Sequence, residues 1–170
     1  MKTSIHAIPV LKALLDGKQR VLHGNLCGTT GLLSNAVSGG TSVTAFSKAY
    51  SENGLFGFNI NGSNISTAQK SIDALKSVST GDFDNASLLR AQNIATVEYD
   101  LSMNESGLTK LNERLLFTGS FETSAEFSER VLKVGKDEVV SLAKNMLKSN
   151  PTLVSMGDAD KLFFLDELKI

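Results

Sequence analysis

The sequence predicts an α+β fold: an antiparallel-hairpin-containing sheet with several helices packed on one face. Three observations carry that prediction. Residues 41–50 and 55–60 are rich in β-branched and aromatic side chains and are joined by Ser51-Glu52-Asn53-Gly54, where Asn-Gly supplies positive φ cheaply. After residue 65 the apolar period changes from two to 3.6 and stays there for most of the remaining length. The chain has 170 residues, 41% apolar and 21% charged, enough to bury a core in one domain without disulfide or metal support.

The elements follow in order. Pro9 suits the first turn of a helix, where its missing N–H costs nothing; Leu11, Leu14 and Leu15 form its apolar face and Gly17 can stop it. Residues 17–31 read as irregular, with Gly24, Gly28 and Gly31, and lead to a short apolar piece, residues 32–37, broken by Gly39-Gly40. In the second strand Phe56, Phe58 and Ile60 fall on one face, opposite Leu55 and Gly57. Phe56 and Phe58 are expected to anchor the sheet to the helices as buried residues, and Gly54 to hold positive φ in the turn. Ser66-Thr67-Ala68-Gln69 reads as a capping box over the stripe Ala68, Ile72 and Leu75. A helix over residues 85–103 carries Leu88, Ala91, Ala95 and Tyr99; a separate one carries Leu108, Leu111 and Leu115 and is closed by Gly119. Thr123-Ser124-Ala125-Glu126 is a second capping box, ahead of Phe127 and Val131, with Gly135 as the stop. Val139, Leu142 and Met146 mark the last helix, which Pro151 ends; residues 152–156 alternate like a short strand, and the tail is turn-like and then apolar. No internal repeat, low-complexity tract or linker divides residues 1–170.

Charge and composition narrow the function classes. Seventeen basic against eighteen acidic residues give a formal charge of -1, which argues against a nucleic-acid binder. A single cysteine, Cys27, excludes an internal disulfide framework and a multi-cysteine zinc site. No run approaches the eighteen or so apolar residues of a membrane span. A cleaved leader is disfavoured, because His6, Pro9 and Lys12 interrupt the first apolar stretch and the first arginine is Arg20.

Candidate chemistry is thin. His6 and His23 have no carboxylate at metal-ligand spacing, and Cys27 has no histidine that the sequence assigns to it. Gly24-x-x-x-Gly28-x-x-Gly31 lacks the Gly-Lys-Ser/Thr ending of a P-loop and the dinucleotide-binding spacing. Asp82 and Asp84 flank Phe83 just before a helix and serve its positive end. Catalytic, cofactor-binding and metal residues are therefore expected to be none.

Three stretches carry a family resemblance. Residues 45–58, Ala-Phe-Ser-Lys-Ala-Tyr-Ser-Glu-Asn-Gly-Leu-Phe-Gly-Phe, resemble the aromatic hairpin of the mitochondrial processing peptidase family, the pitrilysin-type zinc peptidases and their inactive relatives. Residues 134–140 are similar to the start of the family's final helix. Val154-Ser155-Met156-Gly157-Asp158 with residues 162–168 resemble the ending of its core-protein branch, from the cytochrome bc1 complex. The resemblance implies a C-terminal, processing-peptidase-like domain in a non-catalytic structural subunit on the matrix side of the mitochondrial inner membrane. It implies a core protein 1-like partner and assembly with cytochromes b and c1, with no nucleic acid, no direct membrane span and no cofactor. The family's zinc motif, His-x-x-Glu-His, is absent from this sequence, so no enzyme is expected. Residues 24–31 also lack the proline and lysine of the glycine-rich loop in the α-type peptidase subunit. Family members open this half with a strand for which few residues remain before Pro9; its loss would leave a sheet edge in need of cover. Two alternatives stay open: a non-catalytic half of a presequence-processing zinc peptidase working with a zinc-bearing partner, and an unrelated α+β homo-oligomeric binding module.

Overall fold

The computed structural model describes residues 5–16, 31–33, 41–49, 54–62, 65–119, 122–158 and 162–169. In chain order these form α1 (Ala7–Asp16), β1 (Ser42–Ala49), β2 (Gly54–Asn61), α2 (Ile65–Thr80), α3 (Asn85–Thr118), α4 (Ser124–Leu132), α5 (Lys136–Leu147) and a 3-10 turn at Leu165–Glu167. The α+β class holds. Pro9 sits in the first turn of α1, whose Ala7, Val10, Leu11, Ala13, Leu14 and Leu15 are all buried. A helix apolar on so many sides must lie inside, and α1 packs against β1, α3 and α5 at once. α2 lies on β2 and α5, and α4 on α3, so the helices stack behind one face of the hairpin.

β1 and β2 pair antiparallel, with Ser42 opposite Asn61, Ala45 opposite Phe58 and Ala49 opposite Gly54. Val43 and Ala45 are buried, while Phe56, Phe58 and Ile60 pack against the core half-buried, as the period-two pattern requires. Phe56 and Phe58 meet edge to face, centroids 6.0 Å apart. Because neither ring is fully buried, truncating one costs less than the roughly 3–5 kcal/mol of a fully enclosed phenylalanine. The expectation for Gly54 fails. It is a ladder residue opposite Ala49 and is not among the positive-φ glycines of the described residues, which are Gly62, Gly81, Gly119 and Gly157. Residues 50–53 of the turn lie outside the described residues.

Four helix boundaries differ from the sequence reading. α2 begins at Ile65, so Ser66 is already inside the helix, and the Gln69 side chain reaches Asp73 and Lys169 instead of closing a capping box. The two helices expected over residues 85–115 are one, α3, of 34 residues. Gly107 is too weak a breaker to interrupt it: a glycine costs about 1 kcal/mol relative to alanine in a helix interior, less than restarting a helix. Gly119 does close α3, at φ 67 with its N–H donated to Leu115 O. Gly135 is the N-cap of α5 rather than the stop of α4, which ends at Leu132; buried Gln92 donates to the carbonyls of Leu132 and Val134 and satisfies that end. α5 ends at Leu147, four residues before Pro151, and residues 152–156 form no strand, having no ladder partner among the described residues.

Candidate functional site

The capping box at the start of α4 is present as read: Glu126 N–H donates to Thr123 Oγ1, and the Glu126 carboxylate accepts from Thr123 N–H. The Thr123 backbone N–H first, and then the Thr123 hydroxyl, both donating to the carboxylate, hold the Glu126 carboxyl below the ordinary 4.5. The cap also fixes Glu122 one residue ahead of Thr123 and sets Arg130 on the following turns of α4. Glu122 is only 7% exposed. His6, just before α1, donates from Nε2 to both of its carboxylate oxygens at 3.0 and 3.1 Å. Arg130 Nη1 stands 2.9 Å from Oε1. Tyr99 of α3 donates its hydroxyl to the Glu122 carbonyl at 2.7 Å, and its ring stacks on Phe127 at 3.9 Å. Phe127 also lies 5.7 Å from the His6 imidazole.

The Glu122 carboxylate ties the start of α1 to α4, and its backbone carbonyl ties the same point to α3. Both Glu122 oxygens accept from His6 and one of them from Arg130, while His6 commits Nε2 to the carboxylate rather than to a nucleophile. The arrangement orients elements; it offers no acid–base pair around an open reacting position. Lys12 adds a second tie from α1 to α3 through Glu98, at 3.0 Å. Among the described residues no group of three or more His, Cys, Asp or Glu side chains is placed to hold a metal ion. A shallow hollow between α1 and α3, lined by Ala13, Leu14, Ala91 and Ile94 among others, is far smaller than a small-molecule site.

Of the residues weighed on sequence, His23, Cys27, Gly24 and Gly28 lie outside the described residues. Asp84 is the N-cap of α3, accepting from Ser87 N–H at 2.9 Å, and its bonds to Ser87 hold the carboxyl below the ordinary 3.8. Asp82 is exposed. The apolar tail keeps Leu162, Phe164 and Leu165 exposed, Phe164 at 71%. The Glu122 cluster escapes a reading of spacing because its histidine and carboxylate are 116 residues apart. The only local signal was the Thr123 capping box, which marks where Glu122 and Arg130 must sit.

No family model matches the sequence. Individual proteins do. Subunit 2 of the mitochondrial cytochrome b-c1 complex, core protein 2, is 30% identical in Rattus norvegicus over 173 residues, covering 96% of this chain and 38% of the relative. The Homo sapiens protein is 26% identical over 176 residues, with the same coverage of each. The chain is core protein 2-like along nearly its whole length. Subunit alpha-2 of the mitochondrial processing peptidase from Dictyostelium discoideum is also similar, 26% identical over 164 residues, covering 91% of this chain and 36% of that protein. The resemblance read from the hairpin and tail therefore extends along nearly the whole sequence, which leaves the unrelated binding module without support. The chain spans about 38% of the length of the core protein 2 relatives it matches. Among the described residues no helix is long and apolar enough to cross a membrane.

Proposed function

We propose that this chain acts as a non-catalytic structural subunit, or part of one, in the mitochondrial ubiquinol–cytochrome c reductase. The observation that carries the reading is the match to core protein 2 over 96% of the chain in three mammals at 26–30% identity. Its place is then the matrix side of the inner membrane, with a core protein 1-like partner and the cytochrome b and c1 assembly as neighbours. Residues 1–170 serve as one processing-peptidase-like C-terminal domain. No residue is assigned a catalytic, cofactor or metal role. The Glu122 cluster agrees with that assignment, since its hydrogen bonds fasten helices together and leave no reacting group poised.

The similarity to a processing peptidase alpha subunit favours one second reading, a non-catalytic half that helps a zinc-bearing partner cleave presequences. A cleavage assay on a mitochondrial presequence, run with the zinc-bearing subunit alone and with this chain added, separates the two. The scaffold reading predicts an unchanged rate. A rate that rises in proportion to added chain would replace it with the processing reading.

A further inference from the structure

The end of the chain is fastened to α2 in a way that reads backbone alone. Gln69 Nε2 donates to the Lys169 carbonyl at 3.1 Å, and Gln69 Oε1 accepts from the Lys169 N–H at 2.9 Å. One carboxamide thus exchanges both bonds with one residue, the pattern of a hydrogen-bonded pair between antiparallel strands. Its second N–H donates to Asp73 Oδ1 at 3.1 Å, which fixes which end of the amide is oxygen. Lys76, seven residues and two turns along the same helix face, donates Nζ to the same Lys169 carbonyl at 2.7 Å. Gln69, Asp73 and Lys76 therefore form a row on α2 that holds an extended backbone by its polar groups.

The segment so held commits little else. Leu162, Phe164, Leu165, Asp166 and Glu167 are exposed, and only Phe163 and Leu168 are half-buried. Among the described residues its other bonds are local: Glu167 N–H to Phe164 O, Leu168 N–H to Leu165 O and Phe164 N–H to Glu167 Oε1. A segment with few buried apolar contacts and exposed polar attachments belongs to the part of a protein that opens independently of the core. We propose that residues 162–169 are a releasable strap, latched on α2 by the Gln69 carboxamide with Lys76 in support, and opening without unfolding of the helices. This inference is independent of the subunit assignment above. It is also independent of the side chain at position 169.

Amide hydrogen exchange by NMR on the full chain tests it. In the unmodified chain the Lys169 amide exchanges more slowly than a free peptide, yet well ahead of the α1 and α5 amides. Gln69→Ala removes two of the three latch bonds and speeds Lys169 exchange by roughly tenfold or more, while α2 amides keep their rates. Lys169→Pro, which deletes the latched N–H, makes the flanking amides of residues 167 and 168 exchange faster; Lys169→Ala leaves the latch intact. An unprotected Lys169 amide in the unmodified chain overturns the latch, as does a rate unmoved by Gln69→Ala. Lys169 exchange as slow as that of the helix core overturns independent release.

Discussion

Glu122 is a buried carboxylate that accepts from His6 and pairs with Arg130. Its removal strands the His6 ring N–H, whereas Arg130, 59% exposed on its side chain, can return to water. Glu122→Ala should therefore cost about 1–3 kcal/mol and Arg130→Ala under about 1 kcal/mol, read as midpoint shifts in urea unfolding. Equal small losses would show that the carboxylate is not the joint between α1 and α4. The glycines divide in the same way. A Cβ on Gly62, at φ 133, would meet Thr41 Cγ2 at 2.5 Å, while on Gly54 its nearest neighbour is Lys48 O at an ordinary 3.5 Å. Gly62→Ala should thus destabilise by about 1–3 kcal/mol from strain, and Gly54→Ala by little. Thermal melts of the two variants rank them. The Asn-Gly pair pointed to an antiparallel hairpin, which β1 and β2 form, but register is set by which residues pair in the ladder, and single-residue ladder ends are not encoded in the dipeptide.

At the scale of elements, α3 makes the sharpest claim. If residues 85–118 are one continuous helix, Gly107 sits in a helix interior with open space around it. Gly107→Ala should then stabilise the chain by about 0.5–1 kcal/mol and raise helical ellipticity. A chain with a break at that point would gain nothing, or lose the freedom the break requires. Helix starts carry a pH signature. Asp84 and Glu126 have folded-state values below the ordinary 3.8 and 4.5, so their capping contributions are complete above those values. They are lost as pH falls through the lowered folded values. Circular dichroism should show fraying of α3 and α4 on the acid side, and Asp84→Asn with Glu126→Gln should flatten that part of the profile. The Thr123–Glu126 cap was legible because both halves of it are local. The Ser66–Gln69 pair has the same spelling, yet Gln69 is drawn off by Lys169, one hundred residues away, and no local pattern records that.

For the whole molecule, the hairpin and the apolar stripes were legible because period two and period 3.6 reflect direct burial on one face. What stayed hidden is contact between distant segments: His6 with Glu122, Gln92 with the end of α4, and the tail with α2. Each depends on how whole helices pack, so each becomes visible only in three dimensions. These ties also explain how a largely helical chain surrounds α1, which is buried on nearly every side and touches the sheet and two helices. The proposed role of such a scaffold is assembly rather than chemistry. Its most direct test is mild-detergent affinity purification of the tagged chain from its own source, with the co-eluting proteins identified by mass spectrometry. Cytochrome b, cytochrome c1 and a core protein 1-like subunit are expected in stable ratio to the chain. Recovery of a zinc-bearing peptidase subunit without the cytochromes would contradict that role.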